Sequence, residues 1–103
     1  MMSNREYVQA VANELEERGV YAFFNSEDGN DIYDIEYNVN GRLDFRGARA
    51  MIACGGPNVY IDSKAGAVDL YWGADEAHWY LSADCRAEVN EYFEEMYQMM
   101  RGC

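Results

Sequence analysis

The chain has 103 residues, half of them apolar and 15% aromatic, and its 8 basic against 19 acidic residues give a net charge of −11. This length and composition predict a single folded domain spanning residues 1–103 and argue against disorder. The negative charge disfavours direct contact with nucleic acid or an anionic membrane, because both require a positive patch. It favours a basic protein partner, with improved solubility as the simpler explanation.

The chain opens with a predicted helix. Ser3 and Glu6 have the spacing of a capping box, in which each side chain satisfies a free backbone N–H group. Behind it, apolar residues recur at helical spacing: Tyr7, Val8, Val11, Ala12 and Leu15. Gly19 is a typical helix terminator. The apolar run Val20–Phe24 then predicts a short buried strand, followed by a polar loop.

The next predicted element is a hairpin. Residues 32–39 alternate between apolar and polar, and the pair Asn40-Gly41 marks a turn. A three-residue loop of Val39, Asn40 and Gly41, with Gly41 as a bulge glycine, keeps apolar residues opposite apolar ones. The resulting pairs are Tyr37 with Leu43, Ile35 with Phe45 and Asp34 with Arg46. The strand from Arg42 continues, bent near Gly47, toward Cys54, although residues 48–54 also fit a helical turn.

A three-stranded meander is predicted after the turn at residues 55–58. Matching apolar faces requires loops with an even number of residues, and four-residue loops at 63–66 and 73–76 satisfy this condition. The second loop sets Trp72 opposite Ala77, Leu70 opposite Trp79 and Val68 opposite Leu81. The expected core side of the meander contains Val59, Ile61, Val68, Leu70, Trp72, Trp79 and Leu81.

The last predicted element is an amphipathic helix capped by Ser82 or Asp84 and ended by Gly102. Its apolar side comprises Cys85, Val89, Tyr92, Phe93, Met96, Met99 and Met100. Two such helices would cover one face of an antiparallel sheet of five or six strands. The expected fold class is therefore a two-layer α+β domain with an N-terminal and a C-terminal helix.

The other face of the meander is the first candidate for a binding surface. It carries Tyr60, Asp62, Asp69, Tyr71, His78 and Tyr80. The derived register places Tyr60, Asp69 and Tyr80 in one row and Tyr71 with His78 in the next. Tyrosine is enriched at protein interfaces, but cross-strand pairing or burial under residues 48–57 would explain the same pattern.

Rows of carboxylates are the second candidate. Asp34 and Glu36 are two apart on a strand, about 6.6 Å along it. Glu88, Glu91 and Glu95 are neighbours on the last helix, roughly 5–6 Å apart. Such rows can imitate DNA phosphates, whereas the simpler explanation is a solvated helix face. Whether the tyrosine face or the acidic helix makes the main contact stays open at this point.

The sequence offers little catalytic chemistry. His78 is the sole histidine, and with Asp69 as its nearest candidate partner it fits a surface residue better than a catalytic one. Residues 25–36 resemble a calcium loop, but alignment on Gly29 places Phe24 at the first ligand position. Metal ligation by Glu27, Asp28 and Asp31 stays open. We expect a protein that is not an enzyme and that requires neither cofactor nor metal.

The cysteines and the N-terminal segment predict a cytoplasmic setting. Cys54, Cys85 and Cys103 are odd in number and widely spaced, which favours free thiols in a reducing compartment, with Cys54 and Cys85 buried. The first ten residues lack the basic start and apolar block of a secretory signal. No apolar run is long enough to span a bilayer.

The short chain, its acidic stretch NSEDGNDIYDIE and its acidic helix EVNEYFEEMYQMM resemble the small acidic α+β proteins of phages and mobile elements. These include anti-CRISPR and antirestriction proteins. The resemblance covers size, charge and layout only, so it implies no residue roles. It implies a cytoplasmic inhibitor in a bacterial host cell that docks on the basic nucleic-acid-binding surface of a CRISPR effector or similar nuclease, partly as a DNA mimic. The alternative is a non-enzymatic domain that dimerises through its tyrosine-rich face.

Overall fold

The computed structural model describes residues 2–102 and has two layers, one of helices and one of antiparallel strands. In chain order the elements are α1 (Asn4–Arg18), α2 (Val20–Asn25), β1 (Asp34–Val39), β2 (Phe45–Ala53), β3 (Asn58–Asp62), β4 (Ala67–Trp72), β5 (Asp75–Tyr80) and α3 (Ala83–Gly102). The five strands lie in the order β1-β2-β3-β4-β5, so every strand pairs with its neighbour in the chain. This confirms the α+β class and the two flanking helices.

Both long helices pack against the same face of the sheet. α1 contacts β4 and β5, and α3 contacts β2, with α2 between the two helices. The shared core joins apolar residues of the helices to the inward side chains of the strands, among them Val8, Leu15, Phe93, Ile61 and Leu70, all fully buried. The described residues place no helix over the opposite face of the sheet.

The predicted capping of both long helices is confirmed. The Ser3 hydroxyl accepts a hydrogen bond from the backbone N–H of Glu6, and the Glu6 carboxylate accepts one from the backbone N–H of Ser3, each at 3.1 Å. Ser82 caps α3, since its Oγ accepts the N–H of Cys85 at 3.2 Å. The Glu16 carboxylate in turn accepts the N–H of Ser82 at 2.9 Å and ties α1 to the start of α3.

The strand predicted at Val20–Phe24 is wrong, because this segment forms the short helix α2. Gly19 adopts φ +81°, which lets the chain reverse between α1 and α2. The Glu88 carboxylate of α3 accepts the backbone N–H of Val20 at 2.8 Å and so caps α2 from outside. Val20 and Phe23, three apart, are the buried residues of the helix.

The predicted β1–β2 register is also wrong. The loop has five residues, and the observed pairs are Tyr37 with Ala48, Ile35 with Ala50 and Glu36 with Arg49. Asn40 Oδ1 accepts the backbone N–H groups of residues 42 and 44 at 2.9 Å, so an asparagine side chain organises the turn. Residues 45–53 form a strand rather than a helical turn.

The positive φ of this hairpin lies at Leu43, at +66°, and not at the predicted Gly41. The carbonyl of Leu43 accepts hydrogen bonds from the Tyr97 hydroxyl at 2.5 Å and from Arg101 at 3.2 Å. Two groups of α3 therefore hold the loop in a conformation that its own sequence disfavours.

The β3–β4 register matches the prediction, with Val59 opposite Leu70 and Ile61 opposite Val68. The β4–β5 turn is shorter than predicted, since only Gly73 and Ala74 separate the strands and Gly73 takes φ +59°. The pairs shift by two residues to Leu70–Ala77, Val68–Trp79 and Trp72–Asp75. Each side chain stays on its predicted face, because a shift of two preserves the alternation.

Three apolar residues lie outside their predicted surroundings. Trp72 is 52% exposed at the end of β4, and Met99 and Met100 are exposed near the end of α3. Near the end of α3 it is Tyr97 that is buried instead of the two methionines, with its ring centroid 5.2 Å from that of Tyr37.

Of the two cysteines expected to be buried, Cys85 is buried and Cys54 is exposed, whereas Cys103 lies outside the described residues.

Candidate functional site

The face of the sheet opposite the helices, here called the open face, is built from three cross-strand rows. The first row is Asp34, Met51, Tyr60, Asp69 and His78. The second row is Glu36, Arg49, Asp62, Ala67 and Tyr80. The third row is Asn58, Tyr71 and Glu76. Adjacent strands are about 4.8 Å apart, so these side chains form one continuous surface.

Eight of the residues proposed from the sequence lie together on the open face: Asp34, Glu36, Tyr60, Asp62, Asp69, Tyr71, His78 and Tyr80. The predicted rows are corrected by the short β4–β5 turn. His78, and not Tyr80, lies opposite Asp69, and Tyr71 lies opposite Glu76. Tyr71 still contacts His78 along the diagonal, with ring centroids 5.9 Å apart.

Arg49 occupies the middle of the open face and was missed by the sequence reasoning. Its guanidinium lies 3.7 Å from the ring centroid of Tyr60 and 5.6 Å from that of Tyr71. The two tyrosine rings are 6.0 Å apart in an edge arrangement. These contacts half-bury both rings and hold them in place. The sequence does carry a signal for this position, because Arg49 alternates with the apolar Ala48 and Ala50. It is not decisive, because residues 48–54 also fit a helical turn.

Asp69 and His78 form the most enclosed polar contact of the open face. Asp69 is 8% exposed, and its Oδ1 lies 2.6 Å from Nδ1 of His78. The other imidazole nitrogen, Nε2, lies 3.6 Å from the Glu76 carboxylate. The hydrogen bond to Asp69, with the charges of both carboxylates, raises the pKa of His78 above its usual value, although partial burial opposes this.

This pair predicts a pH dependence that can be measured directly. We expect the imidazole signals of His78 to titrate above the ordinary value of about 6.5, and Asp69→Asn to lower the titration midpoint. Since the folded-state pKa is raised, the stabilisation from His78 is complete below about pH 6.5 and is lost as the pH rises through the folded-state pKa.

Proton NMR against pH measures the midpoint without ambiguity, because His78 is the sole histidine of the sequence. Urea unfolding of the wild type and His78→Gln should show a larger stability difference at low pH than at pH 9. A midpoint that Asp69→Asn leaves unchanged would contradict the assignment.

The open face is strongly negative. Five carboxylates lie on it, those of Asp34, Glu36, Asp62, Asp69 and Glu76, against the single guanidinium of Arg49. Asp62 also shapes the β3–β4 turn, since its Oδ1 accepts the backbone N–H groups of residues 64 and 65, each at 2.9 Å. Tyr80 is 74% exposed at the β5 edge, so a large aromatic surface lies beside the carboxylates.

The acidic side of α3 lies on the opposite side of the domain, because α3 packs its apolar side onto the core face of the sheet. Glu91 and Glu95 are exposed there, and they do not join the open face. Glu88 has a structural role, since it caps α2 through Val20. The two candidate surfaces, the open face and the acidic side of α3, therefore lie on opposite sides of the domain.

Several acidic and thiol groups outside the open face have contacts of their own. No group of three histidine, cysteine or acidic residues within 2–102 could hold a metal ion. Asp28, one of the three residues left open as ligands, instead pairs with Arg18 at 2.9 Å. Burial, together with the nearby carboxylates of Glu16 and Glu88, raises the pKa of the Cys85 thiol to about 12.

None of the helices within residues 2–102 combines the length and hydropathy that a membrane span requires.

Comparison of the chain with protein-family models, with curated proteins and with solved structures finds no match.

Proposed function

We propose that the protein is a binding inhibitor that docks its open face onto a basic nucleic-acid-binding surface of a partner protein, such as a host defence nuclease. The observation that carries this proposal is an uncovered sheet face with five carboxylates and three tyrosines around one arginine. No catalytic group is required of it, because occupation of the partner's groove is sufficient to exclude nucleic acid.

The carboxylates provide charge complementarity. Strand neighbours are about 4.8 Å apart and same-face residues of one strand about 6.6–6.8 Å apart, so the charges form a two-dimensional lattice rather than a line. A groove that binds duplex phosphates presents lysine and arginine over a comparable surface. Such complementarity accelerates association and makes the complex sensitive to salt.

The tyrosines provide the apolar contact area that charges alone lack. Tyr60 and Tyr71 are held by Arg49 and by each other, so little side-chain entropy is lost when a partner covers them. Tyr80 projects from the β5 edge. Aromatic residues in desolvated positions dominate the energetics of many interfaces.

The layer arrangement supports the open face as the main contact and leaves the acidic helix a secondary role. One flat partner surface cannot cover both sides of a two-layer domain. Glu91 and Glu95 would then act only through long-range attraction during encounter, which salt screens over about 8–10 Å. Self-association through the open face is disfavoured, because it would bring two strongly negative surfaces together.

A matched pair of variants tests the proposal. The face variant carries Asp34→Asn, Glu36→Gln and Glu76→Gln, and the helix variant carries Glu91→Gln, Glu94→Gln and Glu95→Gln. Both lose three negative charges, so they differ only in where the charge is removed. Each protein is immobilised as bait in bacterial lysate, and the retained proteins are identified and eluted with salt or duplex DNA.

We expect the wild type and the helix variant to retain a basic nucleic-acid-binding protein that duplex DNA displaces. The face variant should bind the same purified protein roughly tenfold more weakly. Equal retention by both variants, or loss with the helix variant alone, would overturn the assignment to the open face. A dimer in light scattering that Tyr71→Ala converts to monomer would favour self-association through the tyrosines instead.

A further inference from the structure

A cleft at the β3–β4 end of the sheet is positively charged in an otherwise acidic protein. It has a volume of about 480 Å³ and lies between the turn at 63–66, the start of α3 and the end of β5. Arg46, Lys64 and Arg86 line it, and no carboxylate-bearing residue does. Three of the 8 basic residues of the chain therefore meet in one cleft.

The fold brings these three cations together from distant segments. Arg46 lies where the β1–β2 register shifts, Lys64 lies in the β3–β4 turn and Arg86 lies in the second turn of α3. The Arg86 guanidinium donates to the backbone carbonyl of Lys64. Its aliphatic stem lies against Gly66, where a Cβ atom would come within 2.5 Å of Cδ. Arg86 is therefore held in position.

The cations of the cleft are not engaged by carboxylates of the described chain. Among residues 2–102, none of the three cations forms an ion pair with a carboxylate. Asp62, at the start of the turn, directs one carboxylate oxygen to backbone N–H groups of that turn. Because salt screens charges beyond about 8 Å, this local cluster governs what binds despite the net charge of −11.

Two further groups of the cleft indicate more than a counterion site. The side-chain oxygen of Asn90 is buried and has no hydrogen-bond partner among the described residues, although buried polar atoms are normally paired. A rotation of the Asn90 side chain would bring this oxygen to the cleft, where it can accept a hydrogen bond from a ligand hydroxyl or amino group. Tyr80 also lines the cleft, and its largely exposed ring offers a flat surface for stacking.

We propose that this cleft binds a small phosphorylated ligand of the mononucleotide class. The phosphate would contact Arg46, Lys64 and Arg86, since guanidinium and ammonium groups are the usual phosphate ligands of proteins. The base would stack on Tyr80, and a sugar hydroxyl or base amino group would donate to Asn90. The volume lies within the roughly 300–1,000 Å³ of typical small-molecule sites. The cleft shares Tyr80 with the open face, whereas its three cations take no part in the proposed docking of a protein partner.

Calorimetric titration with three probes separates these contributions. Adenosine monophosphate has both phosphate and base, ribose 5-phosphate lacks the base, and adenosine lacks the phosphate. We expect the monophosphate to bind most tightly, ribose 5-phosphate more weakly, and adenosine to give no measurable heat. Tyr80→Ala should weaken the monophosphate several-fold and leave ribose 5-phosphate unchanged.

Single-charge variants provide the matched comparison. Lys64→Gln should weaken binding of the monophosphate about tenfold, whereas Arg42→Gln, an exposed cation of the β1–β2 loop, should leave it unchanged. Equal effects of these two substitutions would show diffuse attraction and overturn the proposal. So would the absence of binding by any phosphorylated probe up to millimolar concentration. Lysate capture by Lys64→Gln identical to that of the wild type would keep this result separate from the partner-binding proposal.

Discussion

Phe93→Ala is expected to lower the free energy of unfolding by about 3–5 kcal/mol, the usual cost of removing a buried phenylalanine ring. Phe93 is fully buried where α3 meets α2, with ring centroids 6.0 Å from those of Phe24 and Tyr92. The loss includes the transfer of the ring to water and the cavity left between the two helices. Since domains of this size are stable by about 5–15 kcal/mol, this loss is roughly a fifth or more of the total free energy of unfolding.

Urea unfolding followed by tryptophan fluorescence measures this change. Met100→Ala serves as the control, because Met100 lies on the same helix but is 57% exposed, and its substitution should change stability by less than about 0.5 kcal/mol. A loss below roughly 1.5 kcal/mol for Phe93→Ala would mean that α2 does not pack on α3 as described.

Gly66→Ala is expected to destabilise the domain by about 2 kcal/mol or more, through two separate effects. Gly66 has φ +71°, a left-handed conformation that costs a residue with a Cβ atom roughly 1–2 kcal/mol. The added Cβ would also lie 2.5 Å from Cδ of Arg86 and force that side chain to move. The turn itself is fixed by hydrogen bonds from the N–H of Gly66 to Asp62 and from the N–H of Leu81 to Gly66.

A double-mutant cycle with Arg86→Ala separates the two effects. The shorter side chain removes the collision but not the backbone strain, so Gly66→Ala should cost less in the Arg86→Ala background. Thermal or urea unfolding of the four proteins gives the coupling. A cost that is identical in both backgrounds would show that the collision is relieved without loss and that backbone strain accounts for the whole change.

Local patterns were sufficient for much of this fold. The capping box at Ser3 and Glu6 requires only groups within one helical turn, and it forms as expected. The β3–β4 register also agrees with the prediction, because face matching requires a loop with an even number of residues and the four residues 63–66 provide one. The division of the sheet into a core face and an open face depends on the same alternation.

Two of the failures trace to contacts between residues far apart in the chain, and a third to a local choice of loop length. Val20–Phe24 is a short apolar run that suits strand or helix, and the Glu88 carboxylate that caps it is 68 residues away. The β1–β2 loop depends on Tyr97 and Arg101, whose hydrogen bonds hold Leu43 at positive φ. At the β4–β5 turn, loops of two and four residues satisfy face matching equally, so the sequence pattern does not choose between them. The structure forms the two-residue loop of Gly73 and Ala74, in which Gly73 has a positive φ.

The candidate site was predictable in its membership but not in its arrangement. Alternation placed Tyr60, Tyr71 and His78 on one face, whereas the pairing of His78 with Asp69 depended on the turn length. Arg49 is not predicted, because residues 48–54 fit either a strand or a helical turn. The separation of the open face from Glu91 and Glu95 required the packing of α3 on the sheet, which no local pattern determines.

The order of the strands has a consequence for how the chain folds. Because strand order equals chain order, each pairing closes only a short loop, and short loops close quickly. The N-terminal helix is the exception, since α1 packs on β4 and β5, about fifty or more residues further along the chain. During translation α1 is made long before its docking surface exists. We therefore expect the sheet with α3 to assemble first and the docking of α1 to complete folding, so that substitutions at Val8 or Leu15 mainly accelerate unfolding and barely slow folding.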